Sequence, residues 1–318
     1  MAVDYLRISL TDRCNLNCIY CTPLEKKGCL KHEELLRHEE LARAAAAFVR
    51  AGIKKIRLTG GEPLIKKNML GLVKMLRAIP GLKELALTTN GVLLKDLAAP
   101  LREAGLDRVN VSLNSMAPAI YKRITGHGAL EDAWDGLMAS LKAGFSEVKV
   151  NVVVMKGIND TEVAEFARLS IDFPLSVRFI EFFSTNERSK NMGDVLFSTA
   201  ETRKRIEAVY GPLLQVPAGH GDGPAHVFKR RGAKGKIGFI SGRSDYFCGS
   251  CNRVRMDCTG KVYPCLFSPS THNLRDLLRG GADEAALVDY IKKIFLVKSN
   301  YKKDSATAGH IEMSSLGG

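Results

Sequence analysis

Residues 6–21 read LRISLTDRCNLNCIYC, an alternating apolar segment followed directly by a loop with three cysteines. The alternation over Leu6–Leu10 predicts a β-strand. The loop spaces its thiols as Cys-x3-Cys-x2-Cys, at Cys14, Cys18 and Cys21. Structural zinc normally takes four protein ligands, whereas a four-iron cluster on three cysteines leaves one iron free for an outside ligand. The spacing therefore favours an open iron–sulfur site, with a zinc site or a chance spacing as the alternatives.

The strand before this loop begins a repeated strand–helix pattern that fills the first two-thirds of the chain. Short apolar runs alternate with longer amphipathic stretches, which is typical of βαβ units and a parallel sheet. The pattern has no Gly-x-Gly-x-x-Gly opening, so it favours an α/β fold of the partial (β/α)6 TIM-like barrel type over a dinucleotide-binding fold. In such barrels the chemistry is expected at the carboxyl ends of the strands.

Six strands and eight helices are predicted. The strands are Leu6–Leu10, Lys55–Leu58, Glu84–Thr88, Arg108–Leu113, Val148–Met155 and Val177–Phe182. The helices are His38–Ala51, Asn68–Ile79, Leu97–Ala104, Leu130–Ala143, Asp160–Ser170, Ala200–Tyr210, Leu274–Arg279 and Glu284–Phe295.

The strand–helix pattern breaks after about Phe197, and a Gly/Pro-rich segment follows at Pro217–Pro224. Such a composition marks a domain boundary. We therefore expect a barrel over residues 1–215 and a C-terminal iron–sulfur cluster module over residues 225–318.

A second cysteine group lies in that C-terminal part, with the spacing Cys-x2-Cys-x13-Cys at Cys248, Cys251 and Cys265. The chain shows no secretory signal and no apolar run of about 18 residues that would span a membrane, so a cytoplasmic protein with reduced thiols is expected. Its eight cysteines then indicate metal binding rather than disulfides. Cys258 lies within the group, so a four-cysteine zinc knuckle is the alternative, and no function is assigned to Cys29.

Basic residues are the other chemical signal. The formal net charge is +13, and the segment His226–Cys265 carries nine Lys/Arg against two Asp. This excess indicates an anionic partner, either nucleic acid or a small polyphosphorylated ligand. RNP-like aromatic residues are missing, which favours the small ligand over nucleic acid. Five cations on four predicted barrel strands also need an anion, and guanidinium groups suit phosphate. They are Arg7, Lys55, Arg57, Lys149 and Arg178.

The segment Thr59-Gly60-Gly61-Glu62-Pro63 directly follows the second predicted strand. Paired glycines allow the backbone to approach a ligand closely, and a carboxylate can hold an ammonium group. A simple tight turn is the alternative interpretation.

The three-cysteine loop and this Gly-Gly-Glu-Pro segment together resemble the radical S-adenosylmethionine superfamily. The resemblance implies a [4Fe–4S] cluster on the first cysteine triplet, which cleaves bound S-adenosylmethionine to a 5′-deoxyadenosyl radical. The sequence departs from the expected pattern at two places. Phe183 stands where a methionine is expected, and the residues after Cys21 differ from the short acidic segment that is usual there. The implied contacts to S-adenosylmethionine are Tyr20, Gly60, Gly61, Glu62, Ser112 and Phe183.

With the second cysteine group included, the chain from Arg7 to Gly318 is similar to one family within that superfamily, the GTP 3′,8-cyclases of molybdenum cofactor biosynthesis. This similarity implies a second [4Fe–4S] cluster on Cys248, Cys251 and Cys265, with GTP as the substrate. It places the last residues, Gly317 and Gly318, at the catalytic site. The implied GTP contacts are Arg7, Lys55, Arg57, Thr88, Lys149, Arg178, Arg253 and Arg255.

The expected partners are therefore GTP, S-adenosylmethionine and a low-potential electron donor, with a homodimer as the assembly and with neither nucleic acid nor membrane. Two rival functions are a radical enzyme that modifies a peptide, and a zinc- or cluster-bearing nucleic-acid binder without catalysis. The basic strand residues and the terminal Gly-Gly speak against the peptide enzyme.

Overall fold

The computed structural model describes residues 3–23, 29–184, 186–217, 219, 223–242, 244, 251–266, 268 and 271–300. Three residues with predicted roles, Cys248, Gly317 and Gly318, lie outside the described residues. Within the described residues, no helix combines the length and the apolar character needed to cross a membrane.

The strands belong to one sheet. They are β1 (Tyr5–Ser9), β2 (Lys55–Thr59), β3 (Glu84–Thr89), β4 (Arg108–Ser112), β5 (Glu147–Val154), β6 (Ser176–Glu181), β7 (Leu214–Gln215), β8 (His226–Lys229), β9 (Lys236–Ile240), β10 (Arg253–Met256), β11 (Lys261–Tyr263) and β12 (His272–Asn273).

The helices connect and cover these strands. They are α1 (His38–Arg50), α2 (Met69–Arg77), α3 (Leu94–Glu103), α4 (Pro118–Thr125), α5 (Leu130–Lys142), α6 (Val163–Asp172), α7 (Glu187–Lys190), α8 (Thr199–Tyr210), α9 (Leu274–Arg279) and α10 (Glu284–Asn300). Short 3-10 turns occupy His32–Glu34, Pro63–Ile65 and Asp160–Glu162.

All six strands and all eight helices predicted from the sequence are present, with small shifts at their ends. The last helix, α10, ends at Asn300 rather than Phe295, and α3 begins at Leu94 rather than Leu97. In α3, the buried residues Leu94, Ala98 and Leu101 recur every three or four positions, and this apolar face carries the helix through Pro100. Two short helices, α4 and α7, were not predicted.

Eight strands run parallel in the order β10-β1-β2-β3-β4-β5-β6-β9. The six central ones come from the predicted barrel, and β9 and β10 from the C-terminal part join its two edges. Antiparallel β11 and β12 extend one edge, and β8 and β7 extend the other. The described strands at the two ends, β12 and β7, do not pair with each other. The fold is therefore a partial barrel, as predicted, and the division near residue 215 stays a prediction because the sheet continues across it.

Strand alternation separates the two faces of this sheet. The outward face is apolar: Leu6, Ile8, Ile56 and Leu58 are fully buried against the helix layer. The helix α10 closes this layer by packing on α1, with the Phe48 and Phe295 ring centroids 6.3 Å apart. The inward face carries the polar residues, and these form the candidate site.

Candidate functional site

The three-cysteine loop leaves the carboxyl end of β1 and docks on the end of α4. The backbone N–H groups of Asn17 and Ile19 donate to the carbonyl oxygens of Thr125 and Ile124, at 2.8 and 2.9 Å. The N–H of Cys21 donates to the Cys18 carbonyl at 3.1 Å, which closes a turn between the two thiols. Helix α4, which was not predicted from the sequence, therefore supports the cysteine loop, which was predicted.

Two of these three thiols have a raised pKa, in part because of the other cysteines. Burial raises the pKa of Cys18, and the charges of Cys21 and Cys14 raise it further. Burial, followed by the charge of Cys14, raises the pKa of Cys21 to about 12. Three thiolates can share this loop only beside a strong positive charge, such as the iron of a cluster.

In the described part of the chain, no group of three His, Cys, Asp or Glu side chains is arranged to hold one metal ion.

The Gly-Gly-Glu-Pro turn after β2 packs directly on the start of the cysteine loop. The N–H of Gly61 donates to the Thr11 carbonyl at 2.7 Å, and the N–H of Glu62 donates to the Arg13 carbonyl at 2.8 Å. A Cβ added at Gly61 would lie 2.0 Å from the Arg13 carbonyl oxygen. Gly60 has φ +148°, a conformation that favours glycine. The two glycines therefore allow this turn to lie close to the cysteine loop. Their contact with S-adenosylmethionine stays a prediction.

Glu62 is buried and connects the ends of two strands. Its carboxylate accepts hydrogen bonds from the Leu64 N–H at 3.0 Å, the Thr89 hydroxyl at 2.8 Å and the Asn90 N–H at 2.8 Å. Burial raises the pKa of Glu62 to about 7, while these hydrogen bonds lower it. The side chain thus fixes the β2 and β3 loops, and its predicted contact with the methionine ammonium stays untested.

Two asparagines at this end of the barrel were missed by sequence reasoning. The Asn90 amide donates to Asn15 Oδ1 at 2.7 Å and lies 3.9 Å from the Cys14 thiol. The Asn114 amide donates to the Tyr20 hydroxyl at 2.8 Å. Asn90 follows β3 directly and Asn114 lies two residues after β4. Polar residues at the carboxyl ends of parallel strands were the signal that could have found them.

The predicted S-adenosylmethionine contacts lie around the same end. Tyr20 is half-buried in the cysteine loop, Ser112 is half-buried at the end of β4, and Phe183 is half-buried just after β6. Ser112 pairs in register with Asn151 of β5.

The inward face of the strands is strongly cationic. Strands β1–β6 and β10 contribute eight Lys or Arg side chains to it and two carboxylates, Glu84 and Glu147, an excess of six positive charges. The cations are Arg7, Lys55, Arg57, Arg108, Lys149, Arg178, Arg253 and Arg255. All but one of them belong to the GTP contacts predicted from the sequence.

The two carboxylates each pair with two of these cations. Glu84 lies 2.5 Å from Lys55 and 3.2 Å from Arg108. Glu147 lies 2.8 Å from Lys149 and also pairs with Arg108. Lys55 and Lys149 therefore have partners within the protein, which the sequence reasoning did not foresee.

Burial and the neighbouring cations together disfavour the charged form of several of these side chains. Burial, followed by the charge of Arg255, lowers the pKa of Arg7 well below its ordinary value. Burial and Arg57 lower the pKa of Lys55. Burial and Arg253 lower the pKa of Arg255 to about 10. An anion bound in this channel would relieve all three effects.

The second cysteine group lies at the other end of the channel. Cys251 precedes β10 and Cys265 follows β11, so the antiparallel hairpin brings both to its open end. That end is the amino end of the barrel, because β10 runs parallel to β1 and Tyr5 pairs with Arg253. Lys298 Nζ lies 3.5 Å from the Cys251 thiol.

Cys258 lies at the opposite, closed end of this hairpin. It is buried, and its carbonyl accepts a hydrogen bond from the Leu36 N–H at 2.9 Å. Burial raises its pKa to about 12, with the charge of Asp257 as the next cause. This placement disfavours a four-cysteine zinc knuckle.

The two cysteine groups therefore lie at opposite ends of one cationic channel. Along the strand direction, the two groups are at least the length of β1 apart, which is four residue steps or about 13 Å. We expected the site residues to gather at the carboxyl ends of the strands. The structure places Cys251 and Cys265 at the amino end instead, because β10 returns to the sheet parallel to β1.

Comparison with known proteins agrees with this arrangement. The family model of the Radical SAM superfamily matches residues 8–170, and the model described as Molybdenum Cofactor Synthesis C matches residues 175–304. A protein of Moorella thermoacetica named GTP 3′,8-cyclase is 42% identical over 317 residues, which is 99% of this chain and 98% of the relative. The chain belongs to the GTP 3′,8-cyclase family of radical SAM proteins.

A second member of this family, the GTP 3′,8-cyclase of Geobacter sulfurreducens, is 44% identical over 319 residues, covering 99% of this chain and 97% of the relative. Among solved structures, Streptococcus suis SuiB bound to S-adenosylmethionine matches with a TM-score of 0.65 and 14% identity, over 92% of this chain and 68% of SuiB. That likeness shows the fold alone. Membership of the radical SAM superfamily implies a [4Fe–4S] cluster and S-adenosylmethionine as cofactors.

Proposed function

We propose that this protein converts GTP into (8S)-3′,8-cyclo-7,8-dihydroguanosine 5′-triphosphate, the first step of molybdenum cofactor biosynthesis. The observation that carries the proposal is the inward face of the described strands β1–β6 and β10, which has six more cations than carboxylates and lies between two cysteine groups. A triphosphate supplies the anion that this channel needs, and a nucleotide is long enough to extend along it.

The first cluster site has the residues that it requires. Cys14, Cys18 and Cys21 would hold the iron, and Glu62 and Asn90 keep their loop in place. A reduced cluster with S-adenosylmethionine would supply the adenosyl radical that removes the hydrogen from the ribose C3′. The polar residues after β3 and β4 lie beside this loop, where they can orient the nucleoside.

The chain's own part in the reaction is to position the substrate. The buried arginines of β1, β2, β6 and β10 would hold the triphosphate, and Arg57 Nη1 is already oriented by the Leu87 carbonyl at 3.3 Å and by Thr88 at 3.4 Å. The carbon radical at C3′ then adds to C8 of guanine, and one electron and one proton complete the cyclic product. Both must come from outside the substrate, which is why a low-potential electron donor belongs to the proposal.

A second [4Fe–4S] cluster at the amino end of the channel belongs to the same proposal. Cys251 and Cys265 face one end of the β10–β11 hairpin, and Cys248, the third cysteine of this group, precedes Cys251 by three residues. With only three thiolates, one iron stays open, and it would bind the guanine base. Gly317 and Gly318 would complete the site from the end of the chain.

Two further parts of the proposal rest on general reasoning. A cytoplasmic location fits cysteines that bind metal, since cytosolic thiols stay reduced. A homodimer is the proposed assembly, and light scattering on the purified protein tests it.

The proposal is tested by anaerobic incubation with dithionite, S-adenosylmethionine and GTP, followed by mass analysis of the nucleotides. We expect an isomer of GTP together with 5′-deoxyadenosine. Arg57→Gln should lower the yield of cyclised GTP at least tenfold, whereas Arg168→Gln, on the exposed face of α6, should not change it. A protein without iron and sulfide would support the nucleic-acid binder, and cleavage of S-adenosylmethionine without loss of GTP would support a peptide substrate.

A further inference from the structure

Tyr5 lies at the amino end of β1, in the cationic part of the channel, and none of the roles above involves it. Its hydroxyl oxygen accepts a hydrogen bond from Arg57 Nε at 2.5 Å. Lys55 Nζ lies 5.0 Å from the centroid of its ring, and the Arg253 guanidinium carbon lies 5.9 Å from it. Three of the predicted GTP contacts therefore lie against one phenol.

The charged groups around Tyr5 come from each strand packed against it. Strand β1 contributes Arg7, β2 contributes Lys55 and Arg57, and β10 contributes Arg253 and Arg255. Glu84 of β3 is bound to one of these cations, Lys55. The Tyr5 side chain is 8% exposed, so water screens these charges weakly.

We propose that Tyr5 is the internal counter-group of the polyphosphate site: its phenolate oxygen neutralises these cations before substrate binds, and it takes up a proton when phosphate oxygens replace it. The inference rests on the proposed function for the identity of the phosphate donor, GTP. It makes Tyr5 a positioning residue, which acts through Arg57, Lys55 and Arg253.

The electrostatics agree with this geometry. Burial raises the pKa of Tyr5, but the charges of Arg57, Arg7, Lys55 and Arg253 together outweigh burial and lower it to about 7. Above that pH the free protein carries a phenolate. Phosphate groups bound to the same cations cancel their effect, so the phenol regains its proton in the complex.

This proton uptake has a measurable sign and size. With a free-protein pKa of about 7 and a much higher one in the complex, binding at pH 8 should take up about 0.9 proton from the buffer. The affinity should fall about ninefold between pH 8 and pH 9 for the same reason. The γ-phosphate of GTP is fully ionised in this range and adds nothing to the slope.

The experiment is calorimetry of the holoenzyme under anaerobic conditions, in two buffers of different ionisation enthalpy, with GTP and with inorganic tripolyphosphate. Tyr5→Phe should lose most of the proton uptake and most of the pH slope, and whatever slope remains belongs to Lys55 and the arginines. Tyr210→Phe, at the half-buried C-terminal end of α8 and outside the channel, is the matched control and should behave like the wild type. The iron content of each variant shows that it is folded.

The titrations with GTP and with tripolyphosphate distinguish a failure of this inference from a failure of the proposed function. Binding of tripolyphosphate with proton uptake, but no binding of GTP, would contradict the cyclase proposal and leave the role of Tyr5 supported. Wild-type binding without proton uptake, equal slopes in wild type and Tyr5→Phe, or no binding of either anion would overturn the inference.

Discussion

Replacing Gly61 by alanine tests how the turn after β2 holds the cysteine loop. The added Cβ would lie 2.0 Å from the Arg13 carbonyl oxygen, whereas side-chain carbons essentially never come closer than 3.0 Å. The two segments must therefore separate by at least about 1 Å. The hydrogen bonds from Gly61 N–H to Thr11 and from Glu62 N–H to Arg13 cannot survive that shift. Losing both costs about 1–3 kcal/mol, and more where the buried groups find no water.

The displaced carbonyl belongs to the residue just before Cys14, so the first cluster should suffer most. We expect Gly61→Ala to bind less iron after anaerobic reconstitution and to form 5′-deoxyadenosine at least tenfold more slowly. Iron and sulfide analysis, electron paramagnetic resonance of the reduced protein and product analysis give three independent readouts.

The control is Gly242→Ala, because a Cβ at Gly242 meets no atom within 4 Å. This variant should keep iron and turnover at the wild-type level. If Gly61→Ala also kept a full cluster and cleaved S-adenosylmethionine at the wild-type rate, the steric reasoning about this turn would be refuted.

Three further predictions concern other parts of the site. Because burial raises the pKa of Glu62 from about 4.5 to about 7, the folded state should lose about 3 kcal/mol of stability as the pH rises through this window; denaturant unfolding should show this slope in the wild type, and a slope of the same size in Glu62→Gln would contradict it. Cys265→Ser should lower the iron content and abolish the cyclised product, while Cys258→Ser should change neither; loss of iron from Cys258→Ser would mean that the thiol is a ligand after all. Gly317→Ala should keep the iron and the binding of S-adenosylmethionine but lose cyclisation, with partial rescue of a truncated chain by a peptide of its last ten residues; full activity without the two glycines would return them to an ordinary chain end.

The barrel strands could be predicted because their signals are local. Short apolar runs such as Ile56 and Leu58 alternate with charged residues, and each run is followed by a helix with a clear apolar face. The positions of β9 and β10 at the two edges could not be predicted, since pairing between residues as distant as Tyr5 and Arg253 leaves no periodic trace. The short α4 was missed because eight residues give a weak pattern.

The candidate site also has features that could be predicted from the sequence and features that could not. The cysteine spacing, the paired glycines and the basic strand residues can be recognised from the sequence alone. In the structure, those of these residues that are described lie along or at the ends of one channel. The carboxylate partners of Lys55 and Lys149 were not visible, because Glu84 and Glu147 look like ordinary strand ends until the strands are paired. The separation of Cys258 from Cys251 was hidden too, because spacing along the chain does not show on which side of a hairpin a thiol lies.

The cationic channel also explains why this interior is tolerable only in a protein that binds an anion. Eight buried or half-buried cations with two carboxylates cost folding energy, and the lowered pKa values of Arg7, Lys55 and Arg255 are the sign of that cost. A protein under selection for stability alone would replace such residues with apolar ones, as parallel strands normally have. These cations lie on six different strands. We expect binding to offset their cost, because a ligand that binds only the folded state returns it as added stability. We therefore expect the residues that are unfavourable in this interior to be the ones that give a polyphosphate its affinity and fix its orientation between the two cysteine groups.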